Sequence, residues 1–110
     1  MSTNLQKTLE EPIEFTGVGL HSGVNVNLCL NPAEVNSGIK FRRTDIDNNK
    51  NIIEANFKNV ISPVLCTKIK NSHGITVSTI EHLMAAFYLE GIDNVLVELD
   101  GPEVPIMDGS

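Results

Sequence analysis

The chain has 110 residues and carries 8 Lys and Arg against 14 Asp and Glu, a formal net charge of −6 at pH 7. That length supports one modest core, burying roughly two-thirds of the unfolded surface, and with 41% hydrophobic and 20% charged residues the composition is that of a single folded domain rather than a disordered chain. The acidic excess excludes nucleic acid, whose phosphates demand clustered cations; the only adjacent basic pair, Arg42-Arg43, is followed at once by Asp45 and Asp47. Anionic membrane surfaces are disfavoured on the same ground, and no stretch is long and apolar enough to span a bilayer. The first seven residues lack the apolar run of a secretion signal, so a cytoplasmic location is expected. Cys29 and Cys66 stand in neither CxxC nor Cys/His metal spacing and read as free thiols.

In chain order, residues 12–16 form a first predicted strand. Gly17, Gly19 and Gly23 then surround His21, which suits a tight hairpin connection with His21 at its tip. From residue 24, Val24, Val26, Leu28 and Leu30 alternate with Asn25, Asn27, Cys29 and Asn31, the period of a half-buried strand, and Pro32 ends it. A third strand is predicted over 38–43, with Ile39 and Phe41 on its apolar face. Residues 45–51 are the most polar stretch and read as a loop. Strands over 65–70 and 75–77 flank Asn71-Ser72-His73-Gly74, a turn composition. The period then changes: Ile80, Leu83, Met84 and Phe87 stand at i, i+3, i+4 and i+7, one buried face of a helix of about thirteen residues that Gly91 stops. Ser78-Thr79-Ile80-Glu81 fits a capping box at its start. A last strand covers 94–99. Several antiparallel strands and one helix make an α+β domain, a two-layer sandwich of a mainly antiparallel sheet covered by the helix.

The chemistry concentrates at Glu81-His82, in the first turn of that helix. A neutral imidazole is a good zinc ligand, and a neighbouring carboxylate is a suitable base; a helix N-terminus favours the anionic Glu81 and disfavours a protonated His82. The dipeptide has a plain alternative, since capping accounts for a glutamate there and a single early histidine is commonly structural. His21 on its glycine turn could transfer a proton or contact a ligand, though a lone loop histidine is more often simply exposed. His73 reads as a turn residue. Asp108 or Ser110 could cap a helix beginning beyond the last residue, which suggests a sequence that has been cut.

Six segments occur in the order found in one enzyme family: Gly17-Val18-Gly19-Leu20-His21-Ser22-Gly23; Phe41-Arg42-Arg43-Thr44-Asp45; Leu65-Cys66-Thr67; Ser78-Thr79-Ile80-Glu81-His82-Leu83-Met84-Ala85-Ala86; Gly91-Ile92-Asp93-Asn94; and Gly101-Pro102-Glu103-Val104-Pro105-Ile106-Met107-Asp108-Gly109-Ser110. In these the chain resembles the amino-terminal domain of the UDP-3-O-acyl-N-acetylglucosamine deacetylases, zinc hydrolases of bacterial lipid A synthesis. The resemblance implies that residues 1–110 are one of two similar domains and that the missing second domain packs on this one. It implies Glu81 as general base and His82 as a Zn²⁺ ligand, with a further histidine and aspartate from the second domain. It places Leu20, His21, Leu65 and Cys66 near a UDP-linked acylated N-acetylglucosamine substrate, and makes Asp108 the support of a histidine from the second domain. The expected function is hydrolysis of the N-acetyl group with release of acetate in the complete enzyme, the 110-residue piece being inactive alone. The alternative is a non-catalytic module that binds an acyl or sugar-nucleotide ligand or a partner chain.

Overall fold

The glycine cluster and the alternating run that follows it build the first hairpin. β1 (Ile13–Val18) pairs antiparallel with β2 (Asn25–Pro32), from Val18 opposite Asn25 to Ile13 opposite Leu30. The structure, a computed structural model, describes residues 5–47, 49–56 and 67–106. Val26, Leu28 and Leu30 of β2 are buried as their alternation predicts, but Val24 is half exposed. Its carbonyl closes the hairpin loop by accepting the Gly19 N–H at 2.9 Å, so the residue belongs to the turn and not to the strand.

Three further strands complete a five-stranded sheet: β3 (Ile39–Arg43), β4 (Ile52–Glu54) and, after the helix, β7 (Val95–Leu99), in the order β1-β2-β7-β3-β4. The last strand thus enters the middle. It pairs antiparallel with β2 and parallel with β3, where Phe41 stands opposite Val97. The sheet is mainly antiparallel, as expected, with this one parallel pairing. A parallel neighbour requires a long crossover, and the segment between β3 and β7 supplies it. β4 has only three residues and no prediction marked it. The described residues of the predicted 45–51 loop lie outside helix and strand, and the Arg43 guanidinium, 2.7 Å from Asp45, also donates to Thr76 O at 3.0 Å.

β5 (Lys68–Lys70) and β6 (Thr76–Ser78) form a separate two-stranded sheet around the predicted turn. The Asn71 side chain organises that turn, its Oδ1 accepting the N–H groups of His73 and Ile75 at 2.9 and 3.0 Å, so His73 is a turn residue. α1 spans Glu81–Glu90, ten residues rather than thirteen. It ends where predicted, at Gly91 in the left-handed region (φ 70°), with the Ile92 N–H returning to Phe87 O at 2.8 Å.

The core lies on one face of the large sheet. Val26, Leu28 and Leu30 of β2, Val95, Val97 and Leu99 of β7, Phe41 of β3 and Ile53 of β4 form one buried cluster with Leu83 and Phe87 from the helix, Ile80 just before it, and Ile69 and Val77 from the small sheet. Each such side chain contributes about 1.5–3 kcal/mol on burial, and that packing, more than the propensity of ten residues, holds the helix in place. On the opposite face Cys29, Glu98 and Arg42 face outward, with an Arg42–Glu98 pair at 3.0 Å. Cys29 is free, as predicted. Partial burial and the nearby Glu14 and Glu98 carboxylates raise the pKa of its thiol. Cys66, like Leu65 and Asp108, lies outside the described residues.

Candidate functional site

The chain enters α1 through one residue of unusual backbone. Thr79 is buried at φ 62°, a left-handed conformation that costs a β-branched residue on the order of 1–3 kcal/mol and persists only where its surroundings enforce it. They do so on both sides. The Ser78 N–H donates to Pro102 O at 2.9 Å and the Val104 N–H to Ser78 O at 3.0 Å, while the Thr79 N–H donates to Thr67 O at 2.8 Å and its hydroxyl to Glu103 Oε2 at 2.8 Å. Ser78 is therefore a strand residue, and the capping box does not form: the N-cap is Ile80, with no side-chain cap bond. Pairing with the 102–104 segment takes Ser78 into a sheet before a helix can begin. This frees Glu81 from capping and turns it elsewhere, and its Oε1 accepts the Thr67 N–H at 3.0 Å.

Glu81 is half-buried and its neighbour His82 exposed. Both line a cavity of about 530 Å³ with His21 and Leu20 from the β1–β2 loop, Thr79, and the 104–106 segment. Four residues singled out in the sequence thus meet around one space, although Leu20 and His21 lie some sixty positions from the helix. The rim is apolar: Leu20 is 62% and Ile106 51% exposed. Leu65, Cys66 and Asp108, the other three predicted site residues, fall outside the described residues.

Sequence reasoning missed the group that holds these walls together. Glu103 is 2% exposed, and its carboxylate accepts the His21 N–H at 3.0 and 3.2 Å, the Ser22 N–H at 2.9 Å and the Thr79 hydroxyl. Position 19 must be glycine for this to occur, because a Cβ there would stand 2.4 Å from Glu103 Oε1. A carboxylate in the apolar, proline-stiffened run Pro102-Glu103-Val104-Pro105 was the available signal, since a charge in such a run is buried only when it is hydrogen-bonded.

Burial by itself would raise the Glu103 pKa, but the backbone N–H groups of Ser22 and His21 and the Thr79 hydroxyl outweigh it and hold the carboxyl below the usual glutamate range. A depressed folded-state pKa gives stability that is present above the unfolded value, about 4.3, and lost as pH falls through the folded one. The melting temperature of the native protein is accordingly expected to fall more steeply below about pH 4 than that of Glu103→Gln. Parallel acid melting curves for the two proteins would count against this account of Glu103.

As a donor set for zinc the site is partial. An exposed imidazole beside a carboxylate has the right chemistry, yet no group of three His, Cys, Asp or Glu side chains able to hold a metal stands together among the described residues. What the described residues present at this cavity fits one ligand and a base.

The fold and the site define a class: an α+β domain in which a carboxylate and an imidazole open the sheet-covering helix at the mouth of a cleft, a pairing suited to acid–base or metal-assisted chemistry. The family model for LpxC, UDP-3-O-acyl N-acetylglycosamine deacetylase, matches residues 6–110, and the chain belongs to that family. It is 51% identical over 105 residues to the UDP-3-O-acyl-N-acetylglucosamine deacetylases of Vibrio atlanticus and Vibrio parahaemolyticus, and 50% identical to that of Sodalis glossinidius. Each match takes in 96% of this chain and 34% of the relative. The chain therefore spans about a third of the length of the curated relatives it matches.

Proposed function

We propose that the chain is the amino-terminal part of a zinc-dependent deacetylase that removes the N-acetyl group of UDP-3-O-acyl-N-acetylglucosamine as a step of lipid A synthesis in the cytoplasm, releasing acetate. The observation that carries this reading is the meeting of Glu81, His82 and His21 around one cavity, in a chain about half identical to enzymes named for that activity. His82 would hold the zinc with a histidine and an aspartate from a second domain packed on this one. When bound, zinc supplies Lewis-acid polarisation of the acetamide carbonyl.

The residues of this chain supply the base and border the substrate. The Thr67 N–H holds one oxygen of Glu81 and so orients the carboxylate, whose other oxygen takes the proton of the attacking water. The water oxygen bonds to the amide carbon; the C–N bond then breaks, and the proton passes to the departing amine. His21 and the apolar Leu20 border the cavity beside this pair and contact the bound substrate, together with Leu65 and Cys66, while Asp108 supports a histidine of the second domain. Alone, the 110-residue piece has one of the zinc ligands and does not turn over.

His82→Ala in the full-length protein is expected to lose zinc and deacetylation together, a ligand deletion weakening metal binding by about a hundredfold or more, the upper reach of changes beyond the ligands themselves. Zinc content by atomic spectroscopy and acetate release from the UDP-linked substrate measure the two effects. Stoichiometric zinc with wild-type turnover in this variant would sink the proposal.

A further inference from the structure

Glu103 has no role in the chemistry just described, yet it is one of the largest fully buried side chains in the domain. Among the described residues no cation pairs with it, since the ion pairs are Arg42–Glu98 and Arg43–Asp45. A buried charge held only by neutral donors is a costly way to fill space, and an apolar residue would fill the same volume with no desolvation penalty. The donors themselves explain its presence. On one side stand the N–H groups of His21 and Ser22 and the Ser22 hydroxyl, in the β1–β2 loop; on the other stands the hydroxyl of Thr79, two residues before Glu81. These segments are separated by more than fifty residues of chain and form adjoining walls of one cavity.

We propose that Glu103 is a positioning residue: its carboxylate bridges the His21 loop to Thr79 and thereby sets where His21 stands relative to Glu81 and His82. The geometry on both sides is that of an enforced arrangement. On the loop side, Gly19 leaves room for the carboxylate that any side chain would take. On the helix side, Thr79 is held in the left-handed region at the point where the chain turns into α1. Backbone pairing brings Glu103 to both, through the Ser78–Glu103 and Gly19–Pro105 bridges. The catalytic consequence rests on the proposed deacetylase reading, whereas the bridge between the two segments does not.

The test uses Glu103→Gln and Thr79→Val in the full-length protein, the second removing only the hydroxyl while keeping the branched shape. Both are checked for folding by circular dichroism and thermal melting. Backbone amide NMR then reads each substitution on the opposite segment: Thr79→Val is expected to shift and deprotect the His21 and Ser22 amides, and Glu103→Gln those of Glu81 and His82. Folded variants are expected to lose about ten- to a hundredfold in kcat, the effect of a small misplacement of reacting groups, with zinc content unchanged and KM within about twofold. Amide changes confined to the substituted segment, or a wild-type kcat in a folded variant, overturn the proposal. Should the wild-type protein show no deacetylation, the activity reading fails and the amide measurement alone decides the bridge. Should Glu103→Gln not fold, Thr79→Val decides it.

Discussion

Glu81→Ala is expected to lower kcat for deacetylation by the full-length protein by about a thousandfold, within the 10²–10⁴-fold range that a positioned general base contributes. The fold should survive. Glu81 is only half-buried and outside the core cluster, it makes no capping bond, and its hydrogen bond to the Thr67 N–H is of a kind that contributes about 1.5–3 kcal/mol when charged. Zinc content should also survive, because in this mechanism the carboxylate works beside the metal and does not hold it. Glu81→Gln sharpens the result: the amide oxygen can still accept the Thr67 N–H, so the carboxylate's orientation is kept and only its basicity is lost. A similar loss of kcat in both variants assigns the effect to proton transfer. Wild-type turnover by either, measured as acetate released, would remove Glu81 from the mechanism.

Phe41→Ala is expected to have the largest effect on stability, about 3–5 kcal/mol, the usual cost of deleting a buried aromatic ring. Phe41 is fully buried in β3 between β7 and β4, opposite Val97 and Ile53. Its ring therefore fills the junction of a parallel and an antiparallel pairing, where strands fixed on both sides have little freedom to collapse into the gap. Since whole domains are stable by only about 5–15 kcal/mol, such a loss would leave a large unfolded fraction. Urea denaturation followed by circular dichroism measures it, and a loss under about 1 kcal/mol would show that the site repacks.

Much of this was legible because it is local. The buried side of β2 follows from alternation at Val26, Leu28 and Leu30, and that of α1 and its N-cap from Ile80, Leu83 and Phe87, while Met84 of the same predicted face is only partly buried. Gly91 stops the helix where predicted, and the glycines around His21 mark the hairpin loop that the structure contains. The failures came where distant segments compete for the same residue. Ser78 has a good capping sequence, but the backbone of residues 102–104 claims it for pairing, so the helix starts later and Glu81 is released to Thr67. β4 is too short for any period to be read in it.

The site divides along the same line. Residue types, spacing and family motifs in the amino-acid sequence by themselves determined that Glu81 and His82 are the pair to consider, that His21 sits on a glycine turn, and that the chain is an α+β domain, because side-chain periodicity and motif order depend only on near neighbours in the chain. Only the tertiary structure decided that β7 lies between β2 and β3, that the His21 loop and the helix start border one cavity, and that Glu103 joins them. Strand partners and buried hydrogen bonds are chosen by competition among segments tens of residues apart, and a buried carboxylate settles wherever the folded chain offers it enough donors.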